Sequence, residues 1–249
     1  MENRITSRKT PYLQQVKKLL ASRKERESAG LFVADGTKLL QEAVRFWPGL
    51  DTVILSDGIE AQVPEHVRVL RVPEDVMESI SPMATPQGAV FVCRLPEKTD
   101  FVSKHPMLLL DGIQDPGNLG TILRTADAMG VSVVLLEGCA DPYSHKVVRA
   151  SMGAVFRTPV VQTTWEHASA VLKSAGVPVA VTALSETARD IRSADVKNMA
   201  VVIGSEGQGV RKEILHSADV QLIIPMNEHC ESLNAAIAAA IVMWQMEQI

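Results

Sequence analysis

The sequence predicts an α/β protein in two parts: a small N-terminal α/β domain over 1–97 and a parallel-sheet α/β domain over 105–249. Three observations carry this. Near-continuous Val/Ile/Leu runs at 107–113, 131–138, 159–164, 178–184, 199–203 and 220–224 alternate with helical patterns, as in a parallel sheet covered on both faces. Polar loops follow several of these runs and lead into helices, so they can gather at one end of a sheet, where open α/β folds bind ligands. Between the two parts, LPEKTDFVSKHP (95–106) is polar, holds two prolines and lacks apolar periodicity, as a linker does.

In the first part, residues 11–27 read as one helix with Leu13, Val16, Leu19 and Leu20 on its apolar side. A strand at 30–36 leads to a helix at 37–47 with Thr37 as its N-cap, ended by Pro48-Gly49. Strands follow at 51–58 and 67–72, then a short helix at 73–80 and a β-branched, aromatic strand at 88–95. In the second part, helices are expected at 117–129, around 144–151 and at 166–175, with a last one from about residue 232.

Composition narrows the class. The 249 residues are 46% hydrophobic and 22% charged, ordinary for a globular protein with a full core. The net charge of -4 argues against a general affinity for polyanions, but 1–27 hold eight Lys/Arg against three Glu. Such a basic arm is either a local polyanion contact or a solvated helix face. Cys93, Cys139 and Cys230 are scattered and form no CxxC pair, which points to a reducing compartment and no structural metal site. The opening MENRITSRKT lacks the apolar core of a secretory signal, and the longest apolar run, 235–244, is about ten residues, too short for a bilayer. The expectation is a cytoplasmic protein without a membrane partner.

Three polar loops carry the chemistry. In DGIQDPGNLGTILRTADAMG (111–130), Asn118 stands where it can cap a helix, and Arg124 lies about two turns further on. Each is open to a purely structural role, as a cap and as a surface ion pair. GSEGQG (204–209) is no phosphate loop, because no Lys-Ser/Thr follows and the spacing is not GxGxxG. Glu206 in its middle suits a cationic or donor ligand, or else caps the next helix or pairs with an arginine. In IPMNEHCESLNAAI (224–237), Ser232 is a candidate N-cap and Asn234 falls early in the helix. His229 and Cys230 are adjacent and make a weak metal signal.

DPGNLGTILRTADAMG, VVIGSEGQG and IPM…ESLNAAIAAAI, in that order and spacing, resemble the three signature motifs of the SpoU (TrmH) family of RNA 2′-O-ribose methyltransferases, within the SPOUT superfamily. DPYSHKVVRASMGAVFRTPV (141–160) also resembles the family's pattern. The first part looks like the ribosomal-protein-like RNA-binding domain that many members carry. The resemblance implies a deep trefoil knot in the C-terminal part, S-adenosylmethionine as cofactor, and a homodimer whose partner subunit can supply Arg124. By position, Ala183, Gly204, Ile224, Met226 and Leu233 would contact the cofactor. Asn118, Arg124, Glu206, Ser232 and Asn234 match the polar active-site set. This chain departs from the pattern at Glu228, where glycine is frequent, and at His145.

The implied reaction is methyl transfer to a ribose 2′-hydroxyl of RNA, ribosomal rather than transfer RNA on family analogy. Arg124 is the family's favoured base, yet a guanidinium has no acceptor and a pKa above about 12. A clamp on the RNA phosphate beside the target ribose is the better physical role. Arg8, Lys9, Lys17, Arg23, Arg149 and Arg157 are the candidate phosphate contacts. The competing readings are a knotted RNA-binding protein without turnover, and a nucleotide-phosphate enzyme, which the missing lysine disfavours.

Overall fold

The structure is a computed structural model describing residues 3–97, 100–103, 106–158, 160–185, 187–205 and 207–247. In chain order its elements are β1 (Asn3–Arg4), α1 (Pro11–Ala21), α2 (Arg23–Ala29), β2 (Leu31–Asp35), α3 (Thr37–Phe46), β3 (Leu50–Ser56), β4 (Arg68–Val72), α4 (Glu74–Ile80) and β5 (Ala89–Arg94). There follow β6 (Met107–Asp111), α5 (Pro116–Met129), β7 (Ser132–Leu135), α6 (His145–Ala150), α7 (Ala154–Arg157), β8 (Val161–Gln162), α8 (Trp165–Ser174) and β9 (Val179–Thr182). The last are β10 (Arg189–Asp190), a 3-10 turn (Ile191–Ser193), β11 (Ala200–Gly204), α9 (Lys212–Ser217), β12 (Val220–Ile223) and α10 (Ala235–Glu247).

The chain forms two compact units. One comprises 1–97 with 141–157, the other 98–140 with 158–249. The first has a five-stranded sheet of order β1-β4-β3-β5-β2. β1, β4 and β3 run parallel, while β5 runs antiparallel to both β3 and β2. α1 packs Leu13, Val16 and Leu19 onto Val33, Ile54, Leu70 and Val90. The single helix expected over 11–27 is two, because Ser22 takes an extended conformation and its side chain accepts from the Glu25 N–H, capping α2. Gly36, at φ 104°, is the cap residue of α3, one position before the expected Thr37.

The segment 141–157 follows β7 yet belongs to the first unit, held there by rings and by a charge. Phe32 lies 5.1 Å from Tyr143 and 6.3 Å from Phe156 between ring centroids, and Trp47 lies 5.8 Å from Phe156. Arg26 pairs with Asp141 at 2.6 Å, both side chains nearly sealed from solvent, and donates further to the Leu19 carbonyl at 2.5 Å. One of the eight basic residues of the N-terminal arm is thus a core cation. Removing one partner of such a pair costs about 3–5 kcal/mol, since the other is left buried and uncompensated.

The second unit has a seven-stranded sheet of order β10-β12-β9-β11-β6-β7-β8, parallel throughout. This is the parallel sheet that the Val/Ile/Leu runs predict. Leu109, Val134, Val181 and Val202 of its strands pack with Trp165, Leu172 and Ile214. α5 buries Leu119, Ile122, Leu123 and Ala126, and α10 packs along it. Among the described residues no helix is long and apolar enough to cross a membrane.

Candidate active site

Strands β12, β9, β11 and β6 are consecutive neighbours in a parallel sheet, so their C-terminal ends share one edge. Ile224 follows β12, Ala183 follows β9, Gly204 ends β11, and Asp111, its register partner, ends β6. Three of the five residues expected at the cofactor therefore come to one edge from three separate stretches of chain. Ala183 is held by its N–H donating to the Leu222 carbonyl at 2.9 Å. Ala183, Ile224, Met226 and Leu233 are all half-buried, which leaves apolar surface beside the strand ends.

The glycine loop is tied to itself. Ser205 and Gly209 form an antiparallel bridge, with the Gly209 N–H donating to the Ser205 carbonyl at 2.9 Å and the reverse bond at 3.2 Å. A Cβ at position 204 would overlap the backbone of Gly209 and Val210, so this close approach requires glycine there. Gly209 itself sits at φ 68°. Glu206 lies outside the described residues.

A buried carboxylate fastens the far side of this loop. Asp111 is 2% exposed and accepts from the Arg211 backbone N–H at 2.8 Å and from its Nε at 2.7 Å. Arg211 Nη2 donates to Glu137 at 2.7 Å, and Glu137 in turn accepts from the Trp165 N–H at 3.1 Å. Burial raises the Glu137 pKa, but hydrogen bonds from its own backbone, Arg211 and Trp165, with the Arg211 charge, outweigh this and leave it below the ordinary value. The sequence offered only weak signals for this strap: an Asp closing an apolar strand, and an Arg just after the glycine loop.

Asn118 and Asn234 meet, although 116 positions separate them. Asn234 Nδ2 donates to Asn118 Oδ1 at 2.9 Å. Asn234 Oδ1 accepts from the N–H groups of Ala236 and Ile237 at 2.9 and 3.3 Å, which makes Asn234 the N-cap of α10. That corrects the expectation that Ser232 caps this helix and that it starts near 232. Ser232 is exposed in the preceding loop, where its carbonyl accepts from Cys230 Sγ. At α5 the cap is Asp115, which accepts from the Asn118 N–H at 2.8 Å. Asn118, sitting in the first turn rather than at the cap, has its side chain directed to Asn234.

Arg124 is exposed on α5, one turn after the buried Gly120, and among the described residues no hydrogen bond or ion pair engages it. Among the described residues, the ion-pair role open to it in the sequence is not used. Cys139 donates to the Leu110 carbonyl at 3.2 Å, and burial pushes its thiol up to about 11.

The residues expected at RNA are spread over the first unit. Arg8 pairs with Asp75 at 2.8 Å and Arg23 with Glu27 at 2.7 Å, both on the surface. Lys9 and Arg149 are exposed and Lys17 is half-buried. Arg157 pairs with Glu42. At His145 burial lowers the imidazole pKa.

A separate open hollow of about 620 Å³ lies at the other end of β9, lined by Trp165, Lys173, Val177, Val179 and Asp219 among others. It holds none of the motif residues. The strand C-terminal edge is the stronger candidate, because three motifs converge there and only there.

Comparison with known proteins places the chain in a family. Residues 105–244 match the sequence pattern of the SpoU rRNA Methylase family, and residues 10–90 that of the MRM3-like substrate binding domain. The chain is 35% identical over 234 residues to the 23S rRNA (guanosine(2553)-2'-O)-methyltransferase RlmP of Bacillus subtilis, covering 92% of this chain and 93% of that one. It superposes at a TM-score of 0.86, with 30% identity, on an AdoMet-bound rRNA methyltransferase from Sinorhizobium meliloti, covering 98% and 97% of the two chains. A further solved structure, an RNA 2'-O ribose methyltransferase, gives a TM-score of 0.81 at 29% identity over 98% and 97%.

Proposed function

The chain belongs to the SpoU rRNA Methylase family, and from that premise we propose that it transfers a methyl group from S-adenosylmethionine to a ribose 2′-hydroxyl of ribosomal RNA. The observation that carries this is the Asn118–Asn234 hydrogen bond, which joins the first and third motifs at the sheet edge where the glycine loop also ends.

The residues fit the cofactor. Gly204 and the self-bridged 205–209 loop offer close backbone approach, and Ala183, Ile224, Met226 and Leu233 offer apolar surface. No Lys-Ser/Thr pair directly follows the loop, as it does in a phosphate loop. When bound, S-adenosylmethionine supplies a methyl carbon already activated by a positive sulfur. The protein must then orient the ribose oxygen and stabilise its charge as the proton leaves. Arg124 holds a phosphate beside that ribose through its guanidinium fork and stabilises the developing alkoxide. Asn118, oriented by the helix cap Asn234, positions the ribose. Glu206 and Ser232 complete the polar set.

The finer parts of the reading have their own support. Ile237 and Trp244, two turns apart on one face of α10, are 53% and 62% exposed, and a second copy of the chain would cover them. The placing of β11 between β9 and β6, with β12 on the far side of β9, supports the family's knotted C-terminal path. The relative's action on 23S rRNA supports ribosomal RNA over transfer RNA. The match of residues 10–90 to a substrate-binding domain supports RNA contacts by Lys17 and Arg23; Arg8, Lys9, Arg149 and Arg157 lie outside the matched range but in the same compact unit, and we assign them the same role. A ribosomal RNA substrate supports a cytoplasmic location.

The test is to map 2′-O-methyl groups in ribosomal RNA from cells with and without the protein. One ribose should lose its methyl group when the protein is absent and regain it with the wild-type chain but not with Arg124→Ala. An unchanged methylation map would overturn the proposal.

A further inference from the structure

Among the described residues of the first unit, Phe46 is the exposed aromatic residue. Phe46, the last residue of α3, is 37% exposed, whereas Phe32 and Phe91 are fully buried. Two guanidinium groups lie over its ring, Arg45 at 5.0 Å and Arg157 at 5.7 Å from the centroid. Arg157 is steadied by its ion pair with Glu42, one turn earlier on α3. The chain turns beside Glu42 at Met152-Gly153, since a Cβ on Gly153 would stand 3.0 Å from the Glu42 side chain. Met152 is the non-glycine residue with positive φ among the described residues, at 50°, and it is 48% exposed. A long side chain is disfavoured in that backbone region, so the surrounding packing must hold this turn, and strain of this kind gathers at ligand sites.

The chemistry of the patch selects its ligand. An exposed ring flanked by two planar cations suits a flat π-system attached to an anion. An unpaired nucleobase meets that description: its face stacks on phenyl or guanidinium planes and its phosphates pair with arginine. A base inside a duplex offers no free face. We propose that Phe46, with Arg45 and Arg157, is a stacking platform for an unpaired base of the RNA substrate, with Met152 as its apolar rim. This rests on the reading of the chain as an RNA methyltransferase and adds that the substrate is single-stranded where the first unit holds it.

The test uses the full chain and fluorescence anisotropy with three probes: a single-stranded oligoribonucleotide, the same backbone without bases, and a duplex. Phe46→Leu keeps an apolar side chain of similar size but has no π face, so the fold should survive, and a thermal melt checks this. Phe46→Leu should bind the single strand about tenfold more weakly, the loss of one stacked base. Phe46→Trp should match the wild type, and the base-free strand should not distinguish the variants. Equal binding of the single strand by wild type and Phe46→Leu overturns the platform, as does an equal loss on the base-free strand or a failure of Phe46→Trp to restore affinity. Calorimetry with S-adenosylmethionine on the same wild-type sample separates the two readings. Absence of cofactor binding counts against the proposed activity, whereas unchanged RNA affinity in Phe46→Leu counts against the platform alone.

Discussion

Asn234 makes two commitments with one amide: its Oδ1 caps α10 and its Nδ2 donates to Asn118 Oδ1 at 2.9 Å. Because the cap fixes which end of the amide faces the helix, it also fixes which end faces Asn118. Helix formation and site geometry are thereby coupled through a single χ2.

That coupling can be split by mutation. Asn234→Asp keeps the capping oxygen and replaces the donor with a second acceptor facing Asn118. Its melting temperature should stay near wild type, since Asp and Asn are equivalent caps, while methyl transfer falls by at least about tenfold through loss of one positioning bond. Asn234→Ala should lose the same activity and about 1 kcal/mol of stability. Wild-type turnover in Asn234→Asp would show that the bond to Asn118 does not position the substrate.

Gly204→Ala should weaken S-adenosylmethionine binding by at least about tenfold, because a Cβ there overlaps the Gly209 and Val210 backbone and must push the loop open. Gly207→Ala meets nothing within 4 Å and serves as the control. Calorimetric affinities of the two variants check this. Equal affinities would dissociate the cofactor from the loop's closed form.

Arg211→Met should destabilise the second unit by about 2 kcal/mol. The range for breaking a fully buried pair is higher, but Arg211 is 37% exposed and so is partly screened already. Most of the loss comes from Asp111, left buried without its guanidinium partner. Urea denaturation measures it. A change under about 0.5 kcal/mol would mean that the Arg211 backbone N–H alone satisfies Asp111.

The same strap makes stability depend on pH. Glu137 has a folded pKa below the ordinary 4.5, so it contributes stability that is present above the unfolded value and lost as pH falls through the folded one. The stability gap between wild type and Glu137→Gln should therefore be largest at neutral pH and close in acid, below about pH 4.5. A gap that widened on acidification would contradict the assignment. The readout is a urea midpoint at each pH.

Cys230 is exposed, Cys93 is buried, and the Cys139 thiol is pushed up to about 11. At neutral pH an alkylating reagent should therefore modify Cys230 alone, because the thiolate is the reacting form. Mass spectrometry of the labelled chain decides this, and labelling of Cys139 at a rate near that of Cys230 would place it in a more open setting.

Asp141→Ala should destabilise the first unit by about 3 kcal/mol, since it strands Arg26 in the core. Near-ultraviolet circular dichroism should report loosening of the Tyr143 and Phe156 contacts with Phe32 and Trp47. A melt equal to wild type would place the docking of 141–157 on its rings alone.

Local pattern was enough for much of this molecule. The Val/Ile/Leu runs mark β6, β7, β9, β11 and β12, because a strand buried on both faces has no polar alternation. Helix ends were legible only to within a few residues. Asp115, Gly36 and Asn234 win the caps over Asn118, Thr37 and Ser232, since capping depends on one backbone dihedral that sequence does not state. The antiparallel course of β5 was not legible either, because a two-residue period is the same in both strand directions.

The sequence by itself determined the class of protein: three motifs in order, an α/β alternation and a set of polar residues with one chemistry. Those are local features, and each is written within about twenty residues, the length of one strand–loop–helix step. Only the tertiary structure decided what touches what. The Asn118–Asn234 bond, the Asp111–Arg211–Glu137 strap and the seat of 141–157 beside Phe32 and Trp47 each join residues far apart in the chain. Their geometry comes from sheet order and register, which depend on how the whole core packs, and no single stretch of sequence encodes that.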